Sequence, residues 1–348
     1  MRDRSVDVGR GLLVVMMIYG HVLQFFGDAQ LFPACASVVE IINLTVFPAF
    51  VFYFGMTAAM AYLTKPYARA LPGMIRMGLR TYAAFVFSGV GFRVLRENKP
   101  LAAGTVRRVM TLMDVPGWSE FLMAFALYAL LLAVLFKGFV FLSARPRYAL
   151  AVGAVCVAAC AVPYDQTPIW LAPFIGGTQF SYFPVVQYMP YFLTGMVFAK
   201  AEKPVRGRLL LLAAAASGAG MVYVCVRGNL PSRFPPEWAW IALSGLTTAV
   251  VVMAAKGLSA LEKTSIRPLA EAICGVLAHF GSASLYMLLG SNLVLFTMSG
   301  KGMTPVLART GMLPWTQPIQ SPVGAACWTA LLLLVLWFVA RLAGRGKA

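Results

Sequence analysis

Residues 2–28 read RDRSVDVGRGLLVVMMIYGHVLQFFGD, an apolar run with a histidine in its middle. Between Val8 and Phe26 the only basic or acidic side chains are Arg10 and His21. An ionisable side chain inside a bilayer is costly, so one that is kept there marks a functional site by default. The apolar part is about 19 residues long, enough to cross a hydrocarbon core of about 30 Å. It has no small-residue cleavage site before the turn at Asp28, which predicts a retained helix and not a signal peptide. His21 follows Arg10 by eleven positions, about three helical turns, so both leave one face roughly 16 Å apart along the axis. Asp7, Met17 and Gln24 fall within about 40° of that line and complete a polar stripe on an otherwise apolar cylinder.

The rest of the chain has the composition of a membrane protein. Of its 348 residues, 60% are hydrophobic and only 12% charged, with a mean hydropathy of +0.78. Soluble domains have roughly 45–50% apolar and 25% charged residues. No polar stretch is long enough to fold separately, so residues 1–348 read as a single transmembrane domain of all-α class. In a soluble chain the net charge of +17 would suggest nucleic acid; here its placement points to topology and to no nucleic-acid partner. The six cysteines form no CxxC pair and lie mostly in apolar runs, as small packing residues do. No metal site is expected.

Ten segments are long enough to span, near 9–27, 38–63, 75–93, 118–142, 148–163, 184–199, 209–226, 239–255, 273–298 and 323–341. With the N-terminus in the cytoplasm, twenty of the 29 Lys and Arg residues fall on the inner side. The positive-inside rule therefore predicts ten helices with both termini cytoplasmic. One outer connection, residues 94–117, runs against the rule with Arg96, Lys99, Arg107 and Arg108. It is either tolerated or lines the approach of an anionic acceptor.

Several polar residues have two readings each. Pro48 and Gly55 in FPAFVFYFGM mark a kink or a close helix contact. Because the second helix returns antiparallel to the first, Asn43 is expected near the depth of His21, with Glu40 a turn further out. Glu40 is then either the carboxylate that orients the imidazole or a side chain reaching interfacial water. Lys65, Arg69, Arg76 and Arg80 open the third span; they are either ordinary anchors or a phosphate site, Arg76 and Arg80 sharing a face. The outer stretch 164–183, YDQTPIWLAPFIGGTQFSYF, is an interfacial aromatic belt or a sugar-binding surface. His279 lies toward a helix end and ranks below His21; Asn292 lies toward the outer side.

Taken together, Asp7, Arg10, Gly11 and His21 resemble the first-helix signature of the acyltransferase-3 family of integral membrane acyltransferases. The segments at 47–56, 190–200 and 281–292 are similar to that family's later aromatic and Gly/Ser/Tyr helices, in the expected order. Two departures stand out: Arg76 and Arg80 are separated by three residues where the family has two, so only Arg80 maps well, and Ser291 or a neighbour stands where the late motif often has His. The resemblance implies transfer of an acyl group, usually acetyl from cytosolic acetyl-CoA, to a hydroxyl of an envelope glycan or glycolipid across a bacterial inner membrane. It maps the catalytic histidine to His21, as base or acyl relay, and the first-helix arginine to Arg10.

Chemistry and topology then combine into one expectation. Arg10, Arg76, Arg80 and Lys65 hold the phosphates of acyl-CoA; His21 is catalytic with Glu40 beside it; Gln24, Asn43 and Asn292 face the acceptor. The alternative from another class is a carrier or flippase for a glycan or lipid-linked intermediate, in which midplane polar residues and broken helices also occur.

Overall fold

The computed structural model describes residues 3–168, 170–178, 182–301 and 319–345. Among the described residues the secondary structure is helical, 79% helix with no strand. In chain order the α-helices are α1 (Arg4–Phe26), α2 (Ala34–Ala61), α3 (Tyr67–Gly91), α4 (Ala103–Met110), α5 (Gly117–Val134), α6 (Phe136–Ser143) and α7 (Pro146–Ala158). There follow α8 (Ala172–Ile175), α9 (Met189–Lys200), α10 (Lys203–Arg227), α11 (Trp238–Leu261), α12 (Arg267–Ser282), α13 (Ser284–Met298) and α14 (Pro322–Arg345).

Among the described residues, α1, α2, α5, α10, α11 and α14 are long and apolar enough to cross a membrane. A seventh crossing is made if α12 and α13, bent by 78° at their junction, count as one broken span. The other expected spans differ for local reasons. Helix α3 carries Arg69, Arg76 and Arg80, which dilute its apolar character. Helix α7 is short and passes into a 3-10 turn at Ala159–Ala161. Helix α9 starts only at Met189, because Pro190 occupies its first turn and the preceding residues form turns.

The chain divides into two compact units: Met1–Val46, Phe87–Thr111 and Ala255–Ala348 make one, Phe47–Val86 and Leu112–Ala254 the other. In the first, α1 begins under the cap of Asp3, whose carboxylate accepts from the backbone N–H of Ser5 at 3.0 Å. It then packs backbone to backbone on α12. A Cβ placed on Gly11 would lie 2.0 Å from the Leu277 carbonyl oxygen, and one on Gly281 would lie 1.9 Å from that of Asp7. Small residues allow this approach where lipid removes the hydrophobic drive for helix association. Val8, Cys274 and Ala255 are buried around the crossing.

The second unit has an aromatic core. Phe47 meets Phe121, Phe125, Phe183 and Tyr188, while Tyr128 stacks on Phe192 at 5.1 Å. Gly55 is a close helix contact: its Cβ would fall 2.1 Å from the Phe192 carbonyl oxygen, and that of Gly195 2.0 Å from the Phe52 oxygen. Helix α2 continues through Pro48.

Candidate functional site

The polar stripe of α1 finds its partners on α13. Arg10 donates from Nη2 to the Ser284 hydroxyl at 2.7 Å, one residue beyond the break at Ala283. Eleven residues further along α1, His21 Nδ1 lies 3.0 Å from Asn292 Oδ1. Beyond that, Phe25 meets Phe296 edge-on with ring centres 5.9 Å apart. The three contacts advance together along both helices, so α1 and α13 run side by side in the same direction. The bend between α12 and α13 is what makes this possible, since α12 itself crosses α1 at Gly11 and Gly281.

Asn292 is fully buried, whereas His21 is half-buried. In the tautomer whose Nδ1–H donates to the amide oxygen, Nε2 is the basic nitrogen. Asn292 Nδ2 has no hydrogen-bond partner among the described residues. A buried amide group in that state costs free energy unless something completes it. Arg10 is half-buried and also lies 3.9 Å from the Asp7 carboxylate, the long limit of an ion pair.

Gln24 and Asn43 come together: Gln24 Nε2 donates to Asn43 Oδ1 at 3.0 Å. That contact fits the antiparallel return of α2 past α1. Glu40, in contrast, is exposed, and the side chain bonded to the imidazole Nδ1 is an amide and not this carboxylate. Lys65, Arg76 and Arg80 belong to the second unit and are exposed, with Arg76 and Arg80 one turn apart on α3.

Part of the basic connection at 94–117 is occupied structurally. Arg93 and Lys99 both pair with Glu97, and Arg96 donates to the Ser299 carbonyl. Burial pushes the Glu97 carboxyl up, but the bonds and charges of Arg93 and Lys99 outweigh it and hold the group below its usual range. Arg107 and Arg108 are exposed on α4.

Two residues escaped the reading of the sequence. Ser284 holds the Arg10 guanidinium, a role with no local signal. Glu120, in the second unit, is a buried carboxyl whose Oε1 accepts from the backbone N–H groups of Tyr182 and Phe183 at 3.0 and 3.3 Å. Its Oε2 has no hydrogen-bond partner among the described residues. The signal for Glu120 was present: an acidic residue in the apolar run GWSEFLMAF is as costly as His21 in its own. In the stretch 164–183, residues 169 and 179–181 lie outside the described part.

No protein-family model, curated protein or solved structure matches this chain.

Proposed function

We propose that the protein is a membrane-embedded O-acyltransferase that moves an acyl group, most simply acetyl, from cytosolic acyl-CoA to a hydroxyl of an envelope glycan or glycolipid. The observation that carries this reading is the His21–Asn292 pair: an imidazole within an apolar helix, its Nδ1 bonded to a fully buried amide. A neutral histidine fixed through one nitrogen presents the other as a base, and a positioned base is worth about 10²- to 10⁴-fold in rate. The resemblance of Asp7, Arg10, Gly11 and His21 to the acyltransferase-3 signature points the same way.

In this mechanism His21 Nε2 takes the proton of the acceptor hydroxyl as its oxygen bonds to the acyl carbon. The carbon–sulfur bond breaks, and the imidazolium returns the proton to the departing thiolate. Acyl-CoA supplies the activated thioester. The donor set fits its phosphates: Arg76 and Arg80 are exposed, with forked guanidinium groups on one face, and Lys65 is exposed as well. Arg10, in the first unit, has its guanidinium held by Ser284 and Asp7. The proposal includes a ten-span topology with both termini in the cytoplasm of a bacterial inner membrane, following the distribution of Lys and Arg.

Purified protein incubated with labelled acetyl-CoA and a panel of envelope glycans tests the reading. Labelled acceptor, lost in His21→Ala with membrane insertion intact, supports it; normal turnover in that variant overturns it. The bent α12–α13 pair favours one other reading, a carrier with a discontinuous helix near its substrate. Movement of a glycan or lipid intermediate across proteoliposomes without donor would select it.

A further inference from the structure

A cavity of about 430 Å³ lies within the second unit, bounded by α7, α9, α10 and α11. It falls in the roughly 300–1,000 Å³ range of small-molecule sites. Its walls are aliphatic and small-residue-rich, with Ala213, Ala216 and Ala219 from α10 facing Ala242, Gly245 and Ala249 from α11. Helices α10 and α11 cannot simply slide together to close it. The Ser217 hydroxyl donates to the Ala242 carbonyl at 2.7 Å and accepts from the Leu246 N–H at 2.8 Å, and a Cβ on Gly245 would already lie 3.0 Å from the Ala213 carbonyl oxygen.

The lining offers almost nothing to a polar ligand. The Tyr191 hydroxyl is committed to the Ile241 carbonyl and that of Thr194 to the Pro190 carbonyl. Thr248 has the one lining hydroxyl without a partner among the described residues. A water molecule needs two to four polar partners, and this lining offers few. Empty, its walls would lack dispersion contacts on one side.

Shape and depth identify what fills it. Lining residues on α11 extend from Trp238 to Val252, about 21 Å of helix at 1.5 Å per residue. Both α10 and α11 are membrane-crossing candidates, and α10 turns an apolar face outward, with Leu211 75% and Val226 82% exposed. One leaflet's chains span about half of a ~30 Å hydrocarbon core, roughly 15 Å, so one alkyl chain fits within the length of a cavity walled by two membrane-crossing candidates. We propose that this cavity is a binding site for one acyl chain of a membrane phospholipid.

Native mass spectrometry of the full-length protein, delipidated in detergent and re-exposed to phosphatidylcholine, tests the site. The parent should retain a phospholipid, and the doubly filled variant Ala216→Phe with Ala242→Phe should lose at least ten-fold in occupancy. Val222→Phe, on the exposed face of α10, should bind as the parent does. A parent that retains no lipid, or a monodisperse filled variant with parental occupancy, overturns the proposal. Should the filled variant fail to fold, the parent still decides it: phosphatidylcholine with a diazirine at its chain end should label residues 213–219 and 242–249 after delipidation, and label confined to Leu211, Val222 and Val226 refutes the site.

Discussion

Replacing Asn292 by alanine tests the arrangement at His21 most directly. The amide oxygen accepts from the ring at 3.0 Å inside a fully buried position. A hydrogen bond to a group that becomes charged is worth about 1.5–3 kcal/mol, and in the proposed mechanism His21 becomes charged when it takes the acceptor's proton. Losing that bond should therefore slow turnover about 10- to 100-fold, since 1.4 kcal/mol corresponds to about tenfold. The loss should appear in kcat, with KM for acetyl-CoA little changed, because the contact is strengthened in the transition state. Asn292→Asp retains an acceptor oxygen and should recover part of the rate; Asn292→Leu should not. The assay is the initial rate of label transfer from acetyl-CoA to the acceptor by monodisperse protein. Parental kcat in Asn292→Ala would refute the positioning role, as would equal loss in the Asp and Leu variants.

Other perturbations have equally definite outcomes. Glu120→Ala leaves the N–H groups of Tyr182 and Phe183 without their acceptor and should cost about 1–3 kcal/mol for each, read as a lower melting midpoint in detergent; Glu120→Gln, which keeps an acceptor oxygen, should cost less. Neutralising Arg107 and Arg108 together should raise KM for an acidic acceptor and leave KM for acetyl-CoA unchanged; equal changes in both would rule out an acceptor role for α4. The Glu97 carboxyl is held below its usual range, so its contribution to stability is present above the unfolded carboxylate value of about 4.3 and is lost as pH falls through the lower folded value. Hydrogen exchange around residues 92–99 should accelerate in that acidic window, and Glu97→Gln should remove the pH dependence.

The all-helical class was legible because long apolar runs admit few other backbones in lipid. Six runs were apolar and uninterrupted enough to appear as crossing helices. The break at Ala283 was harder to see: HFGSASLYM is apolar enough to pass as one span, and only the small residues Gly281, Ser282 and Ser284 mark it. The stripe on α1 could be read from periodicity alone, since Arg10 and His21 are close in sequence. Their partners could not. Ser284 and Asn292 are 274 and 271 residues away, and spacing along one helix says nothing about which distant helix faces it. Glu40 had two readings, partner of His21 or a side chain reaching interfacial water, because α2 follows α1 directly; the contact at His21 Nδ1 comes from Asn292 on α13, beyond the bend. Gln24 and Asn43 did meet as the hairpin geometry implies.

The position of His21 also depends on a contact far from it. Gly11 lies ten residues earlier on α1, about 15 Å along the axis, where the helix touches the backbone of α12. A Cβ at Gly11 would fall 2.0 Å from the Leu277 carbonyl oxygen, while ordinary contact begins near 3.4 Å, so the helices must separate by about 1.4 Å to admit it. The obstacle is backbone, and no rotamer change relieves it. If α1 moves as a rod, the same shift stretches the 3.0 Å contact between His21 and Asn292 to about 4.4 Å, beyond hydrogen-bonding range. Misplacement of about 1 Å can cost 10²-fold in rate, so Gly11→Ala should lower kcat on that scale although no catalytic group is altered. Gly281→Ala should do the same from the other side, its Cβ falling 1.9 Å from the Asp7 carbonyl oxygen. Gly138→Ala, with nothing within 4 Å of the added carbon, should leave the rate unchanged. Monodisperse Gly11→Ala protein with parental kcat would show that α1 bends locally and that the glycine crossing does not set the geometry of the site.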